Sequence, residues 1–430
     1  MNSRMSGDER RVPQGRLARF ARLAAAGARS SAGLLLTRTS AGSAEAAAEA
    51  LGTLRGLAAK VGQMASYVDG VVPEQHRAAY ETAMSRLRAA APKSSAAEIR
   101  ALVEEELGAP IDRLFDAWDD DPIASASIGQ VHRARTGGVD VAVKVQHPGI
   151  ARALESDLQN AGIVEQMAGA FGARRFDSKG MLAVIRKRFG EELDYSLEAE
   201  RLRFFAKLHE DEPLACVPAV IDARSSGRVL TTELVRGVDF DAACAADAVS
   251  REAWVRTLWR FVFRSNLVGG MFNADPHPGN YIFHEDTPGK VTFLDFGCVQ
   301  PISPEHRANA RAMHRAAIAR DEAAFREHMG ALVGVRTGRM EELMFDYIRY
   351  TFRPLFESPF HITRDFAAAC VEGFKEMATS ARKLKDAEVT AVSPDLFFIN
   401  RLQFGFYSVV ARLDVTVDYA AVEKSFLDEA

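Results

Sequence analysis

The chain has 430 residues, which is enough for two or three packed units. A hydrophobic fraction of 47% and a charged fraction of 26% are ordinary globular proportions and exclude a disordered, collagen-like or disulfide-stapled chain. Lys and Arg total 54 against 58 Asp and Glu, so the net charge of −4 excludes a nucleic-acid binder held by a general excess of positive charge. The four scattered cysteines form no C-x-x-C pair, and no uninterrupted apolar stretch could span a bilayer, so we expect a cytoplasmic protein without disulfides or membrane spans.

Residues 1–45 are predicted to form a basic flexible arm, in which eight arginines face three acidic residues. The arginines are interleaved with Leu17, Phe20 and Leu23, a pattern that suits the anionic surface of a membrane; a disordered tail is the alternative interpretation. From residue 46 to residue 115 the apolar spacing predicts a helical extension that prolines divide into separate helices.

The periodicity then becomes alternating, and residues 116–236 are predicted to form a small lobe of mixed helix and sheet. The predicted strands of this lobe are Ile128–Arg135, Val139–Gln146, Val217–Ile221 and Arg228–Val235, with a long charged helix over Ser178–Glu210. Residues 237–430 are predicted to form a larger helical lobe, interrupted by short strands at Tyr281–Phe283 and Val291–Leu294. A cleft between two such lobes is where a ligand is expected.

One candidate site residue lies on the strand Val139–Gln146, where three valines alternate with Ala142 and Lys144. Its V-A-V-K sequence is close to the V-A-I-K of protein kinases, in which the lysine neutralises the α- and β-phosphates and pairs with a carboxylate on a helix. Taken alone, a lysine on a strand is more often a solvated surface residue.

A partner for such a lysine is available in the acidic stretch that follows. Glu191, Asp194 and Glu198 are predicted to share one face of a helix, at positions i, i+3 and i+7. One interpretation is a solvated acidic face, and the other is a set of carboxylates that engages a lysine and a metal ion.

The most specific pattern is a loop containing Asp275 and Asn280, followed fifteen positions after Asn280 by the Asp-Phe-Gly sequence that begins at Asp295. In protein kinases this spacing belongs to a loop Asp that handles the acceptor or water and to an Asn and a second Asp that hold Mg²⁺. Mg²⁺ prefers hard oxygen ligands, which Asn280 and Asp295 supply. We expect His277, which lies between Asp275 and Asn280, to structure the turn rather than to act as a ligand or base.

Two further features depart from ordinary kinases. No G-x-G-x-x-G precedes Lys144; the corresponding loop, Ala124–Gly129, is rich in Ala and Ser, which predicts a stiffer cover for phosphates than glycines would give. In the helical extension, Lys60 and Gln63 lie beside an apolar stripe, and without other information Lys60 is best interpreted as a lysine at the rim of a packing face.

These elements occur in the order seen in the UbiB family of atypical protein-kinase-like proteins, which the chain resembles over Leu51 to Val299. The motifs that carry the resemblance are Lys60–Gln63 (K-x-G-Q), the Ala/Ser-rich loop, the V-A-V-K strand, Glu192–Asp194 (E-x-D), Asp275–Asn280 and Asp295–Gly297. The resemblance implies an α+β, bilobal protein-kinase-like fold with an N-terminal helical extension that covers the cleft.

The resemblance also implies roles for individual residues. Asp275, Lys144 and Lys60 would be catalytic, while Asn280 and Asp295 would hold the metal. The nucleotide-binding residues would be Ala126, Ser127, Gly129, Ala142, Lys144, Glu233 and Val235, supported by Gln63, Glu192, Asp194 and Glu198. Either Glu198 or a neighbouring acid would pair with Lys144.

The activity implied is that of an ATP-dependent atypical kinase or ATPase with ATP or ADP and Mg²⁺ as cofactors. It would support isoprenoid-quinone (ubiquinone) biosynthesis or lipid homeostasis, with a quinone precursor or lipid as partner and peripheral contact with the inner face of a membrane. Two alternatives remain: a small-molecule phosphotransferase similar to antibiotic or choline kinases, and a nucleotide-sensing scaffold without turnover.

Overall fold

The structure is a computed structural model that describes residues 94–125, 128–152, 155, 190–273, 276–335, 337–381, 384 and 394–428, with the backbone alone for 394–403. The arm, most of the helical extension and the predictions on Lys60, Gln63, Ala126, Ser127 and Asp275 lie outside these residues. The chain forms two compact units: the first contains the described residues up to Asp194 together with Asp222–Thr231, and the second contains Tyr195–Ile221 and the described residues from Thr232 onward.

In the described part of the first unit two helices are followed by strands, whereas helices dominate the second unit. The helices are α1 (Ala96–Leu107), α2 (Ile111–Leu114), α3 (Tyr195–Leu208), α4 (Phe240–Ala245), α5 (Ala248–Arg264), α6 (Pro304–Ala319), α7 (Glu322–Val333), α8 (Arg339–Thr351), α9 (Arg353–Phe356), α10 (Arg364–Ala381), α11 (Pro394–Leu413) and α12 (Tyr419–Leu427). The strands are β1 (Ala117–Trp118), β2 (Ala124–Ser125), β3 (Gly129–Thr136), β4 (Val139–Gln146), β5 (Ala215–Cys216), β6 (Val229–Glu233), β7 (Met271–Asn273), β8 (Tyr281–Phe283), β9 (Val291–Phe293), β10 (Val299–Pro301), β11 (Phe360–His361) and β12 (Thr416–Val417).

A five-stranded sheet organises the first unit. Its strand order is β1-β3-β4-β6. The short strand β2 pairs with the N-terminal end of β3. The hairpin β3–β4 runs in antiparallel register from Gly129 opposite Gln146 to Thr136 opposite Val139. Its two-residue turn places Gly137 and Gly138 at φ of 57° and 79°, which glycine adopts without steric cost, and the predicted hairpin is therefore confirmed.

The helix α1 is capped at both of its ends. The Ser95 hydroxyl accepts from the Glu98 N–H, and the Glu98 carboxylate accepts from the Ser95 N–H, so two of the otherwise unpaired donors at the helix start are satisfied. Gly108 ends the helix in the left-handed conformation. The buried face of α1 consists of Ile99, Leu102 and Val103, at the spacing of successive helical turns.

The second unit is built around α5. One face of this helix is buried, with Trp254, Val255, Leu258, Trp259 and Phe261 each exposed by 2% or less. Two small sheets of this unit position the predicted loop residues: β5-β9-β8, with β5 parallel to β9 and β8 antiparallel to it, and the antiparallel pair β7–β10. The predicted strands at residues 281–283 and 291–294 are thus confirmed, as is the α+β class.

The sequence prediction was wrong for one strand and for one helix. No strand covers Val217–Ile221: β5 ends at Cys216 and only an isolated bridge at Val220 follows, because Pro218 has no N–H to give to a sheet. The predicted long helix is not continuous either, since the helical turn at residues 190–192 ends before Asp194 and α3 begins at Tyr195. Glu191, Asp194 and Glu198 therefore do not share one helical face.

Short strands account for a third difference, because β7, β10, β11 and β12 interrupt the part predicted to be helical apart from two strands. Strands of two or three residues are too short to show a recognisable alternation of apolar and polar residues in the sequence. None of the helices described by the structure is long and apolar enough to cross a membrane.

Candidate functional site

Lys144 lies on β4 with its side chain on the face opposite the core. Val141, Val143 and Val145 are fully buried, whereas Ala142 and Lys144 are partly exposed, as the alternation predicted. Lys144 is directly opposite Val131 on β3, and Val131 is in turn opposite Ala124 on β2. Since residues opposite one another share a face, Lys144 is in the same row as the start of the Ala/Ser-rich loop.

The two strands on either side of the Ala/Ser-rich loop, β2 and β3, pair in antiparallel register. Ser125 is opposite Gln130, and Gly129 is the first residue of β3. The side chain of Gln130 is buried and contacts that of His132, whose other ring nitrogen bonds the Asp119 carbonyl at 2.9 Å. Burial lowers the pKa of His132, so the imidazole that contacts Gln130 is neutral at neutral pH.

The E-x-D segment is attached to the end of β4 through Gln146. The Gln146 side chain is 3% exposed and its Nε2 donates to the Leu193 carbonyl at 2.7 Å. Leu193 is the residue between Glu192 and Asp194, and Glu192 itself is buried. The turn is closed by the Asp194 N–H, which donates to the Glu191 carbonyl at 3.1 Å. Gln146 is a positioning residue that the sequence reasoning missed.

Asp295 follows β9 at the beginning of the Asp-Phe-Gly turn. Its Oδ1 accepts from the Gly297 N–H at 2.8 Å, and its backbone carbonyl accepts from Asn273 Nδ2 at 2.5 Å. The side chain and the main chain of Asp295 are thus both fixed by hydrogen bonds. Phe296, the next residue, is fully buried and packs on Phe205 of α3, with ring centroids 4.6 Å apart.

Asn280 is brought next to Asp295 by the pairing of β8 with β9. Tyr281 is opposite Phe293, and the Leu294 N–H donates to the Asn280 carbonyl at 2.9 Å. Asn280 ends a short turn that His277 stabilises, because His277 Nδ1 accepts from the Gly279 N–H at 2.9 Å. The predicted turn-structuring role of His277 is confirmed.

Two side chains of α3 reach the Asp-Phe-Gly turn. Glu198 is 2% exposed, and its Oε2 lies 3.7 Å from the point where a Cβ on Gly297 would stand; Asp295 Oδ1 lies 3.2 Å from the same point. Arg201, one helical turn later, donates from Nη1 to the Gly297 carbonyl at 2.8 Å. The sequence reasoning identified Glu198 but missed Arg201, for which the i, i+3 spacing from Glu198 was the available signal.

Glu233 is the last residue of β6, and Val235 follows it two positions later. The Glu233 N–H donates to the Ala219 carbonyl at 3.0 Å, so it is the Glu233 carbonyl that this residue can offer to a ligand. After Val235 the chain passes close to β8: a Cβ on Gly237 would stand 2.5 Å from the Phe283 carbonyl oxygen, which leaves room for glycine alone.

The structure thus forms two local groups of predicted site residues. In the first unit, Gly129, Ala142, Lys144, Glu192 and Asp194 are arranged around β3, β4 and the Gln146 contact. In the second unit, Glu198, Asn280 and Asp295 surround the Asp-Phe-Gly turn. Glu198, Asn280 and Asp295 present carboxylate and amide groups, which are hard oxygen donors.

Comparison with known proteins identifies the domain. The family model described as the ABC1 atypical kinase-like domain matches residues 86–329, which is more than half of the chain. A solved structure of Rv3197 from Mycobacterium tuberculosis, in complex with erythromycin, is 27% identical, with a TM-score of 0.58, covering 87% of this chain and 93% of that one.

Curated relatives agree with this match. Protein ACTIVITY OF BC1 COMPLEX KINASE 8, chloroplastic, from Arabidopsis thaliana is 33% identical over 58% of this chain and 33% of its own length. Atypical kinase COQ8B, mitochondrial, from Danio rerio is 32% identical over 66% of this chain and 45% of its own length. Atypical kinase coq-8, mitochondrial, from Caenorhabditis elegans is 28% identical over 85% and 48%. The chain spans less than half the length of these three relatives.

The family match covers the β3–β4 hairpin, α3, the Asn280 turn and the Asp-Phe-Gly turn described above. The chain therefore belongs to the ABC1 atypical kinase-like family, the UbiB family that includes the COQ8 and ACTIVITY OF BC1 COMPLEX KINASE proteins.

Proposed function

We propose that this chain is an ATP-dependent atypical kinase or ATPase that binds Mg–ATP and Mg–ADP. The observation that carries the proposal is the arrangement around the Asp-Phe-Gly turn, where the carboxylates of Asp295 and Glu198 approach the same point beside Gly297 and Asn280 is joined to Leu294. Carboxylate and amide oxygens gathered around one turn are the donors that a divalent cation such as Mg²⁺ prefers.

The donor set fits Mg²⁺. Asn280 and Asp295 would hold the ion, since amide and carboxylate oxygens are its preferred protein ligands and it commonly takes only one or two of them alongside phosphate oxygens. When bound, Mg²⁺ would neutralise charge on the nucleotide phosphates. The chain's own contribution is the fixed Asp295, whose carboxylate and carbonyl are both hydrogen-bonded.

The nucleotide would contact the first unit through β4 and the hairpin before β3. Lys144 would neutralise the α- and β-phosphates, beneath the loop that contains Ala126, Ser127 and Gly129. Ala142, with its small side chain on the same strand face, leaves room for a base. The adenine would accept a hydrogen bond from the Val235 N–H and donate one to the Glu233 carbonyl. The N–H of Glu233 already donates to the Ala219 carbonyl.

Catalytic roles are proposed for residues that the structure does not describe. Asp275 would orient the acceptor hydroxyl or water and take its proton, as the first Asp of the D-x-x-x-x-N spacing. Lys60 and Gln63 would enter the site from the helical extension, supported by Glu192 and Asp194.

The proposed domain boundaries remain 1–45, 46–115, 116–236 and 237–430.

We further propose that the acceptor or regulator is an isoprenoid-quinone precursor or another lipid, reached at a membrane surface. Support comes from the family and from the Arg-rich arm with its interleaved Leu17, Phe20 and Leu23. Contact would be peripheral, with the arm on the anionic face.

Nucleotide binding to the Asp295→Asn variant tests the site. A fluorescent ADP analogue is titrated into the full chain with and without MgCl₂, and the variant is expected to lose the Mg²⁺-dependent part of binding. Asp286→Asn is the matched control, since it removes the same charge from an exposed position in the β8–β9 connection. Unchanged Mg²⁺-dependent binding in Asp295→Asn would show that the site assignment is wrong.

A second candidate function is phosphoryl transfer to a small molecule, favoured by the solved relative whose structure holds erythromycin. Incubation with γ-labelled ATP separates the candidates. Label on a macrolide hydroxyl supports small-molecule transfer; phosphate release stimulated by anionic liposomes and a quinone-precursor mimic supports the leading proposal. Binding without any turnover supports a nucleotide-sensing scaffold.

A further inference from the structure

The guanidinium of Arg201 is buried against the backbone that follows Asp295. The residue is 8% exposed, and its donors meet three main-chain carbonyls: Gly297 at 2.8 Å, with Phe296 and Val299 each at 3.5 Å. These carbonyls all belong to the segment 296–299, so a single side chain on α3 binds the last two residues of the Asp-Phe-Gly turn and the strand that follows it.

Arginine is the residue suited to this position. Its planar fork carries five donors in fixed directions, so it can bind several carbonyls of one bent segment at once, whereas a lysine presents a single point charge. A cation this deeply buried is costly unless it is hydrogen-bonded, and hydrogen bonds to a charged group are about twice as strong as neutral ones. The contact is therefore stiff, and it is reinforced by the packing of Phe205 on Phe296.

Gly297 connects this contact to the proposed metal ligand. Its carbonyl accepts from Arg201, while its N–H donates to Asp295 Oδ1 at 2.8 Å. The Phe296 carbonyl, which Arg201 Nη1 also approaches at 3.5 Å, lies in the same planar peptide unit as the Gly297 N–H, so this contact restricts the direction of that N–H. A Cβ at Gly297 would stand 3.2 Å from Asp295 Oδ1, which shows how closely the turn fits the carboxylate.

We propose that Arg201 is a positioning residue that fixes the 296–299 backbone and thereby aims the Asp295 carboxylate. The inference rests on the proposed function in that Asp295 is taken to bind the nucleotide's cation. Because Glu198 lies on the same helix one turn earlier, α3 carries one side chain that approaches the turn with an acid and another that holds the turn in place. A displacement of α3 would change both.

The first experiment needs no nucleotide. Hydrogen–deuterium exchange of the full chain is followed in the segment 295–299 for wild type, Arg201→Met and Arg201→Lys. We expect exchange at least about tenfold faster in Arg201→Met, with Arg201→Lys between it and wild type. Arg203→Met is the control, because it removes the same charge from an exposed position on α3. Exchange in Arg201→Met equal to that of the control would overturn the proposal.

The second experiment measures the Mg²⁺ concentration at half-maximal binding of a fluorescent ADP analogue. Loss of a residue that orients a metal ligand typically costs 10- to 100-fold in metal affinity, so Arg201→Met should require about tenfold more Mg²⁺ while Mg²⁺-independent binding is unchanged. A merely structural role would lower both kinds of binding together. Faster exchange with an unchanged Mg²⁺ requirement would overturn the positioning role.

Arg201→Lys keeps the test decisive if the methionine variant fails to fold, because it retains the buried charge. It should show an intermediate Mg²⁺ requirement, and values equal to those of wild type in both experiments would contradict the proposal. Wild-type protein that binds no Mg–nucleotide would overturn the proposed function instead, while the exchange measurement would still decide whether Arg201 fixes the segment.

Discussion

The stability of the second unit should depend on pH through His209, which follows α3. This side chain is 3% exposed, stacks on Phe261 with ring centroids 4.3 Å apart, and shares a hydrogen bond of 2.9 Å with the Ser265 hydroxyl. Its Nδ1 is buried and finds no partner among the described residues. Burial, assisted by the charge of Arg264, lowers the pKa of His209 from 6.5 to about 3.

The sign of the effect follows from which state binds the proton. Between pH 6.5 and pH 3 the imidazole of the unfolded chain is protonated while that of folded His209 is neutral. Stability from this group is therefore complete above about pH 6.5 and is lost as the pH falls towards 3. Each pH unit in that window costs about 1.4 kcal/mol, so acidification from pH 8 to pH 5 should remove about 2 kcal/mol.

The variant His209→Gln isolates this contribution because glutamine does not titrate. Urea unfolding at pH 8 and pH 5 is followed by the fluorescence of Trp254 and Trp259, which lie on the same helix as Phe261. The variant should lose about 1–2 kcal/mol at both pH values from the missing ring. Its further loss on acidification should be about 2 kcal/mol smaller than that of wild type.

The control for this measurement is His328→Gln, which alters a partly exposed histidine on α7 and should leave the acid sensitivity of wild type unchanged. An equal fall in stability between pH 8 and pH 5 for wild type and His209→Gln would refute the reasoning, since it would mean that His209 takes up its proton in the folded state at an ordinary pH.

Three further substitutions test the packing of the second unit. Glu423 is fully buried and pairs with His314 Nδ1 at 2.6 Å, so Glu423→Ala should lower the free energy of unfolding by about 3–5 kcal/mol. A loss below about 1 kcal/mol in urea unfolding would contradict the pairing. Gly237→Ala should cost about 1–3 kcal/mol because its Cβ would stand 2.5 Å from the Phe283 carbonyl oxygen. Gly373 lies on α10, and a Cβ there would have its nearest contact at 3.6 Å, so Gly373→Ala should instead stabilise the fold by about 0.5–1 kcal/mol. Midpoints of thermal unfolding that shift in the same direction for both glycine variants would refute the packing argument.

Predictions that rest on local pattern agree with the structure. The β3–β4 hairpin was predictable because alternating valines and two adjacent glycines specify strand, turn and strand within a few residues. The order of Lys144, Asn280 and Asp295 along the chain was enough to indicate a kinase-like domain, which the family match confirms. The roles of these residues in nucleotide binding stay predictions.

Predictions that extended a pattern across a break failed. The acidic residues from Glu191 to Glu198 read as one helix because nothing nearby in the sequence forbids it, yet the chain turns at Leu193, where the carbonyl is bound by Gln146 from β4. No strand forms at residues 217–221, because Pro218 has no N–H for a sheet hydrogen bond. This loss outweighs the strand preference of the β-branched residues around it.

The sequence by itself determined the kinase-like class, the hairpin that carries Lys144 and the presence of the loop motifs, because these depend on residue type and short-range spacing. Only the tertiary structure decided which side chains hold the motifs in place. Arg201 binds the turn after Asp295 across 96 positions of sequence, at the Gly297 carbonyl, and Gln146 binds Leu193 across 47. Such contacts join a side chain to a backbone carbonyl, and since every residue has that carbonyl, no pattern of residue types in the sequence records the pairing.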